Sequence, residues 1–399
     1  MNYSEAQIYM ESLERWGSTM QPDGIGKLCR RLGSPMEKAT YIHAAGVKGA
    51  AAAFVASVLR CAGIKTGRFL PVEGAEYGEQ IRMGRRRITK AAFSEGVELI
   101  KAACDEMISD GYACPDVRTA MKALAFWYFD REDCQVAVLE EQIIVRGELS
   151  GLFAKDGVQL GECAEGLREL SLGEYTEHVN TLWGMAEPAE ASHIRYGLER
   201  QSFDYKNYKK MEISLAGKGQ IENALLAIET IEGLRTAGVK ISDKALYQGL
   251  REATWPCCFE ILHKKPFFVL DGADTGENAR EIAGSIELYF DKKRIIYIVG
   301  MLKSSEADKV ISRTAKYANM ILTVTPQHPQ AVHAYELARK IAGQHPNVTA
   351  VDSLEEAVEI SFLIAGKEDV IIAFGTPALQ GRLTDILDQK AKMSKKKQK

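Results

Sequence analysis

Residues 40–61 read Thr40-Tyr41-Ile42-His43-Ala44-Ala45-Gly46-Val47-Lys48-Gly49-Ala50-Ala51-Ala52-Ala53-Phe54-Val55-Ala56-Ser57-Val58-Leu59-Arg60-Cys61, and this stretch decides the fold class. Thr40 and Tyr41 favour extended backbone and open a short buried run, so 40–45 reads as a strand. Gly46-Val47-Lys48-Gly49 reads as a tight turn. From Ala50 the chain is alanine-rich, with Phe54, Val55, Val58 and Leu59 interspersed, which is the pattern of a packed helix. Strand, glycine turn and helix together open an α/β unit.

The same grammar recurs outward from it. Upstream, Ser4-Glu5-Ala6-Gln7 fits a capping box, with Ile8, Met10 and Leu13 starting an apolar stripe. Downstream, Val117–Phe129 reads as an apolar helix, and Val136–Leu139 as a buried strand ending at Glu140-Glu141. A carboxylate at the carboxyl end of such a strand lies where doubly wound sheets bind ligands. Residues 147–219 are the least regular, with one alternating strand pattern at Met211–Leu215. Gln220–Leu234 returns to a helix that carries Asn223 near its start.

The last third is the most legible. Strand patterns at Phe267–Leu270, Arg294–Val299, Ile321–Val324, Val348–Val351 and Val370–Phe374 alternate with helices, which gives a Rossmann-like domain. The first strand ends in Asp271-Gly272-Ala273-Asp274. The expected division is an N-terminal domain over 1–253, with 147–219 irregular and shortened, and a C-terminal domain over 254–389. Residues 390–399 are expected to form a disordered basic tail.

Composition bounds the function. With 51 basic and 54 acidic residues the chain carries −3. Six of the lysines lie from Lys390 onward, which leaves 45 basic residues against 54 acidic ones, a net −9, in residues 1–389. An acidic body implies no general polyanion-binding surface, so no nucleic-acid partner is expected. No apolar run reaches the roughly 18 residues of a membrane helix, and Met1–Glu5 shows no secretory pattern. The eight cysteines form no C-x-x-C pair, and Cys257-Cys258 are adjacent. They read as reduced thiols in a cytoplasmic protein, most of them core packing.

The order of these pieces resembles the folylpolyglutamate synthase / dihydrofolate synthase family of the Mur-ligase superfamily. The resemblance rests on Met1-Asn2-Tyr3 through Leu13, on Ile42–Gly46 entering a phosphate loop, and on Phe54–Arg60 behind it. It continues through Glu79–Met83 on the substrate side, Val136–Glu140, Gln220–Ala224, Trp255-Pro256 and Asp271–Ala273. It implies a two-domain Mur-ligase-like α/β fold, with a P-loop-like domain and a Rossmann-like domain. It also implies Mg-ATP as cofactor, and folate and glutamate as substrates joined through an acyl phosphate. By the same resemblance Gly46, Lys48, Gly49, Asn223 and Asp271 face nucleotide, Glu140 binds the metal, and Arg82 and Arg146 lie toward substrate.

The chain departs from the family pattern at several of these places. The phosphate loop is two residues short, and Ala50 replaces the metal-binding hydroxyl; a methyl group cannot ligate a cation. Lys48 and Gly49 therefore read either as residual anion binders or as a plain strand-to-helix turn. Glu140 reads either as the metal carboxylate or as a strand-end cap. Leu70-Pro71-Val72 replaces a serine-proline-histidine motif, Cys257-Cys258 replaces Gly-Arg, and Gly219 replaces a histidine. Asp274-Thr275 replaces His-Asn, and the central lysine segment has no match near 151–195, where strands are expected to be missing. These losses lead to the expectation of a binding or regulatory paralogue with lost or reduced catalysis and a protein partner such as an active ligase. The alternative is an active ATP-dependent folate–glutamate ligase.

Overall fold

The computed structural model describes residues 1–16, 24–37, 39–45, 50–71, 76–140, 158–161, 182–184, 186–236, 238–303 and 305–397. The chain clusters into two compact units. The first holds Met1–Val72, Glu76–Ala191 and Glu222–Ala253, and the second holds Ser192–Ile221 and Thr254–Lys399. The segment Ser192–Ile221 thus joins the C-terminal unit, whereas the sequence reading kept it with 1–253.

In the first unit, strands β1 (Thr40–Ala45), β2 (Thr66–Phe69), β3 (Ile81–Met83), β4 (Arg86–Arg87), β5 (Val136–Glu140), β6 (Val158–Gly161) and β7 (Leu182–Gly184) form one sheet. Its order is β4-β3-β2-β5-β1-β6-β7. Strands β2, β5, β1, β6 and β7 pair in parallel, while β3 and β4 add as an antiparallel hairpin. Gly84, at φ 58°, supplies the positive φ that a two-residue hairpin turn needs. Helices α1 (Tyr3–Trp16), α2 (Gly24–Arg31), α4 (Lys90–Ser109) and α5 (Val117–Arg131) share one core with Tyr41, Phe69, Ile81, Ala137 and Leu139. The opposite face carries Ile42, Val136 and Val138 and the helix α3 (Ala50–Cys61). Phe54 there is fully buried, which stabilises the fold by roughly 1.5–3 kcal/mol. Two further helices follow, α6 (Gln220–Thr236) and α7 (Asp243–Glu252). The α7–α3 contact needs Gly249, because an added Cβ would lie 2.6 Å from the backbone nitrogen of Val58.

In the second unit, β11 (Glu260–Lys264), β12 (Phe267–Asp271), β13 (Ile295–Val299), β14 (Met320–Thr323), β15 (Val348–Ala350) and β16 (Val370–Phe374) form a sheet of order β11-β12-β16-β13-β14-β15. All pairings are parallel except β11 with β12. Strands β13 and β16 are buried along their whole length, as expected of central parallel strands covered on both faces. Residues from α8 (Gly276–Tyr289), α9 (Ala307–Thr314) and α10 (Ala334–Ile341) pack on one face, and residues from α11 (Leu354–Ile364) and α12 (Gln380–Lys397) on the other. This is the Rossmann-like alternation expected of the last third.

Three expectations are corrected, and one strand is added. The capping box is formed by Asn2 and Glu5, because the Asn2 side chain accepts the Glu5 N–H at 2.9 Å and Glu5 accepts the Asn2 N–H at 2.8 Å. Residues 147–219 are not uniformly irregular: β6 and β7 extend the first sheet, and β8 (Ala191–Arg195), β9 (Gln201–Tyr205) and β10 (Tyr208–Ile213) form a three-stranded sheet. The alternation read at Met211–Leu215 holds, with Met211–Ile213 closing β10; β9 alternates in burial as well, but Gln201 at its start is a buried polar residue that breaks the apolar pattern. The edge strand β11 went unread because its side chains are only half-buried or exposed. The basic end is helical to Lys397 rather than disordered, since lysine is a good helix former.

Candidate functional site

Two strand-to-helix junctions carry the sequence-predicted residues, one in each unit. In the first, β1 ends at Ala45 and α3 begins at Ala50, so only four residues separate strand from helix. Gly46, Lys48 and Gly49 are among those four and lie outside the described residues, as does Arg146. Glu140 closes β5, and its Cα partner on β1 is Ala44, the second residue from the loop. A strand-end glutamate therefore sits on the strand adjacent to the loop-bearing one, at the carboxyl edge where such sheets take ligands. Ala50 to Ala53 form the first turn of α3 and are buried. That turn offers no side-chain oxygen of its own.

In the second unit, Asp271 closes β12 beside Phe374 of β16. Its carboxylate is nearly inaccessible and accepts two N–H groups, from Phe259 and from Ala273, each at 2.9 Å. It thereby ties the turn after Trp255-Pro256 to the strand end, aided by the Gly272 N–H donating to the Cys257 carbonyl at 2.8 Å. Cys257 and Phe259 hold left-handed backbone there, at φ 58° and 47°. At the following helix, Thr275 caps α8 by accepting the Asn278 N–H at 3.2 Å. Glu306 accepts the Gly276 N–H at 2.7 Å, and Arg313 donates to the Gly276 carbonyl. Hydrogen bonding from Lys309 and then from Gly276 lowers the pKa of the Glu306 carboxyl. The chain's own carboxylate occupies the anion position at this helix start.

Asn223 is buried in the first turns of α6. Just before that helix, a Cβ on Gly219 would lie 3.2 Å from the Glu281 carboxyl carbon, so an acidic side chain fills the space next to the family's histidine position. Arg82 lies on β3, half-buried, and donates from Nε to the Glu79 carbonyl at 3.4 Å. Cys257 and Cys258 are both buried, and the Gln220 amide donates to Cys258 Sγ at 3.0 Å, which fits a packing role. The seven cysteines described are free thiols.

Sequence reading missed Glu306, Glu281 and Arg313, because they are distant in the chain from the groups they meet and carry no local motif. For magnesium, the described residues supply Glu140 as a strand-end carboxylate and no hydroxyl at Ala50. No group of three ligating residues occurs among the described residues. The donor set among the described residues does not build a magnesium site.

Residues 259–376 match the family Mur ligase, glutamate ligase domain. The chain has the two-domain α/β fold of the Mur ligases. It superimposes on folylpolyglutamate synthase from Thermotoga maritima with a TM-score of 0.79 at 21% identity, covering 97% of this chain and 96% of that one. The Mycobacterium tuberculosis folylpolyglutamate synthase complexed with ADP and AMPPCP gives 0.80 at 17% identity, covering 97% and 99%.

Within that class, the chain is similar in sequence to folylpolyglutamate and dihydrofolate synthases. It is 24% identical to the Bacillus subtilis dihydrofolate synthase/folylpolyglutamate synthase, over 94% of this chain and 96% of that protein. It is 25% identical to a probable bifunctional folylpolyglutamate synthase/dihydropteroate synthase of Halobacterium salinarum, over 94% of this chain. The chain spans about half the length of that relative, at 50%, and 43% of a Haloferax volcanii protein of the same description. Among the described residues, no helix is long and apolar enough to cross a membrane.

Proposed function

We propose that this chain is an ATP-dependent ligase that joins glutamate to a folate-type carboxylate, acting in the cytoplasm without nucleic-acid or membrane partners. The observation that supports this most is similarity sustained over 94% of the chain to a synthase of nearly equal length. It favours the active-ligase alternative over the non-catalytic paralogue expected above. ATP as substrate is supported by a structural relative complexed with ADP and AMPPCP.

In this reading the 46–49 loop and the start of α3 take the nucleotide phosphates through backbone N–H groups and Lys48. Glu140, at the adjacent strand end, orients the reacting groups. Asp271 acts as a positioning residue, since its carboxylate is committed to the N–H groups of Phe259 and Ala273. Asn223 and the arginines Arg82 and Arg146 bear on nucleotide and substrate.

A second reading, a folate- or protein-binding paralogue without turnover, is favoured by one set of observations. Alanine fills the first turn of α3, and Glu306 and Asp274 place carboxylates at the start of α8, where they repel phosphate. The test is a thermal-shift titration with Mg-ATP, followed by ADP release with and without folate and glutamate. A ligand at a hundredfold its Kd stabilises by about 2.7 kcal/mol. The ligase reading expects that shift, and ADP release that needs both co-substrates. A shift with folate but none with millimolar Mg-ATP contradicts it and supports the second reading.

A further inference from the structure

Helix α4 ends at Ser109 and α5 begins at Val117, and the turn between them brings two cysteines together. Gly111, at φ 82°, makes the reversal, and the Tyr112 N–H closes on the Met107 carbonyl at 2.9 Å. Cys104 is fully buried near the end of α4, and Cys114 is half-buried in the turn. The Cys104 thiol hydrogen-bonds to Cys114, and the Tyr9 hydroxyl of α1 hydrogen-bonds to Cys104.

The two thiols differ in access. Burial raises the pKa of both, Cys104 to about 12, while the hydrogen bond from Cys104 draws Cys114 back down. The residues before Cys114, Tyr112 and Ala113, are exposed. A thiolate is the nucleophile of disulfide exchange, so the accessible thiol reacts first and the buried one resolves.

The same turn carries contacts that hold α2. Arg31 pairs with Asp110 and, at 3.7 Å, with Glu106, and Lys27 Nζ lies 4.1 Å from the centroid of the Tyr112 ring. Glu106, Asp110 and Tyr112 all fall inside the loop that a Cys104–Cys114 bond would close. Exposed ion pairs of this kind contribute little alone, so their hold on α2 depends on how firmly the turn itself is held.

We propose that Cys104 and Cys114 are a redox pair that closes reversibly into a disulfide and, when closed, stiffens the turn on which α2 is anchored. The Cys114 thiolate attacks a low-molecular-weight disulfide such as glutathione disulfide, which forms a mixed disulfide and releases one thiolate. The Cys104 thiolate then attacks the Cys114 sulfur and releases the second. Two protein thiols are oxidised, the small disulfide is reduced to two thiols, and the protons lost by the cysteines pass to those thiols. Excess small thiol runs both steps backwards.

The test treats the full chain with glutathione disulfide at pH 8, denatures it in iodoacetamide and maps it with trypsin. Residues 102–118 contain no lysine or arginine before Arg118, so one peptide carries both cysteines. That peptide is expected to escape alkylation and to be two hydrogens lighter, and to regain both alkylation sites after dithiothreitol. Cys114→Ser is expected to abolish closure. Cys61→Ser, at a half-buried thiol at the end of α3, is expected to leave it unchanged. Closure is expected to raise Tm by about 5 °C and to slow amide hydrogen exchange across residues 24–31 about threefold, with neither change in Cys114→Ser. A fully alkylated peptide, or a Cys114–glutathione mixed disulfide that never resolves, would overturn the pair. Closure with unchanged exchange across 24–31 would overturn the anchoring of α2. No nucleotide, folate or glutamate is present, so neither result depends on the ligase reading.

Discussion

The two strand-to-helix junctions are built from the same topology and opposite chemistry. At β12–α8, side chains of the chain itself satisfy the backbone: Asp271 takes two N–H groups, Thr275 caps the helix and Glu306 covers Gly276. At β1–α3, the first turn of the helix is Ala50–Ala53, with no side-chain oxygen to serve as cap or ligand. The second junction is a closed structural corner that tolerates little change. The first lacks such a side-chain closure in the first turn of its helix, so substitutions there should alter ligand response more than stability.

Asp271→Ala should have the largest effect. It strands two buried N–H groups, and each lost partner costs about 1–3 kcal/mol, so chemical denaturation should show a loss of about 3 kcal/mol. A loss below about 1 kcal/mol would mean the corner is not closed by this carboxylate. Thr275→Ala should come next, at about 1 kcal/mol for a lost cap, with Thr275→Ser close to unchanged.

Glu260 is a smaller, pH-dependent case. Burial raises the pKa of its carboxyl, opposed by the Cys257 N–H. A carboxyl raised in the folded state adds stability below its unfolded pKa, and that stability is lost as pH rises through the folded value. Glu260→Gln should therefore raise Tm slightly at pH 7.5 and not at pH 4. A gain at both values would contradict the burial argument. The smallest stability change belongs to Ala50→Ser, within about 0.5 kcal/mol on propensity grounds. The same variant should strengthen the Mg-ATP thermal shift, because it supplies the missing hydroxyl. No change in that shift would detach the first junction from nucleotide.

This contrast also explains what could be read in advance. Strands such as Val370–Phe374 and Ile295–Val299 are buried on both faces and announce themselves as apolar runs. The helix at Val117–Arg131 announces itself in the same way. Strand β8, exposed along most of its length, has no such signal, and neither does the hairpin strand β4. Of the site, Asp271 and Glu140 were legible because strand ends are marked by the runs they terminate. The partners of Gly276 and Gly219 were not, because Glu306, Arg313 and Glu281 arrive from other elements.

The central claim is that the chain joins glutamate to a folate-type carboxylate at the expense of ATP. Mass spectrometry of a reaction holding Mg-ATP, glutamate and a reduced folate tests it most directly. The account predicts a folate product heavier by one glutamyl residue, formed in step with ADP and absent when any one substrate is omitted. Unmodified folate with no ADP, from protein that still binds folate, would contradict it.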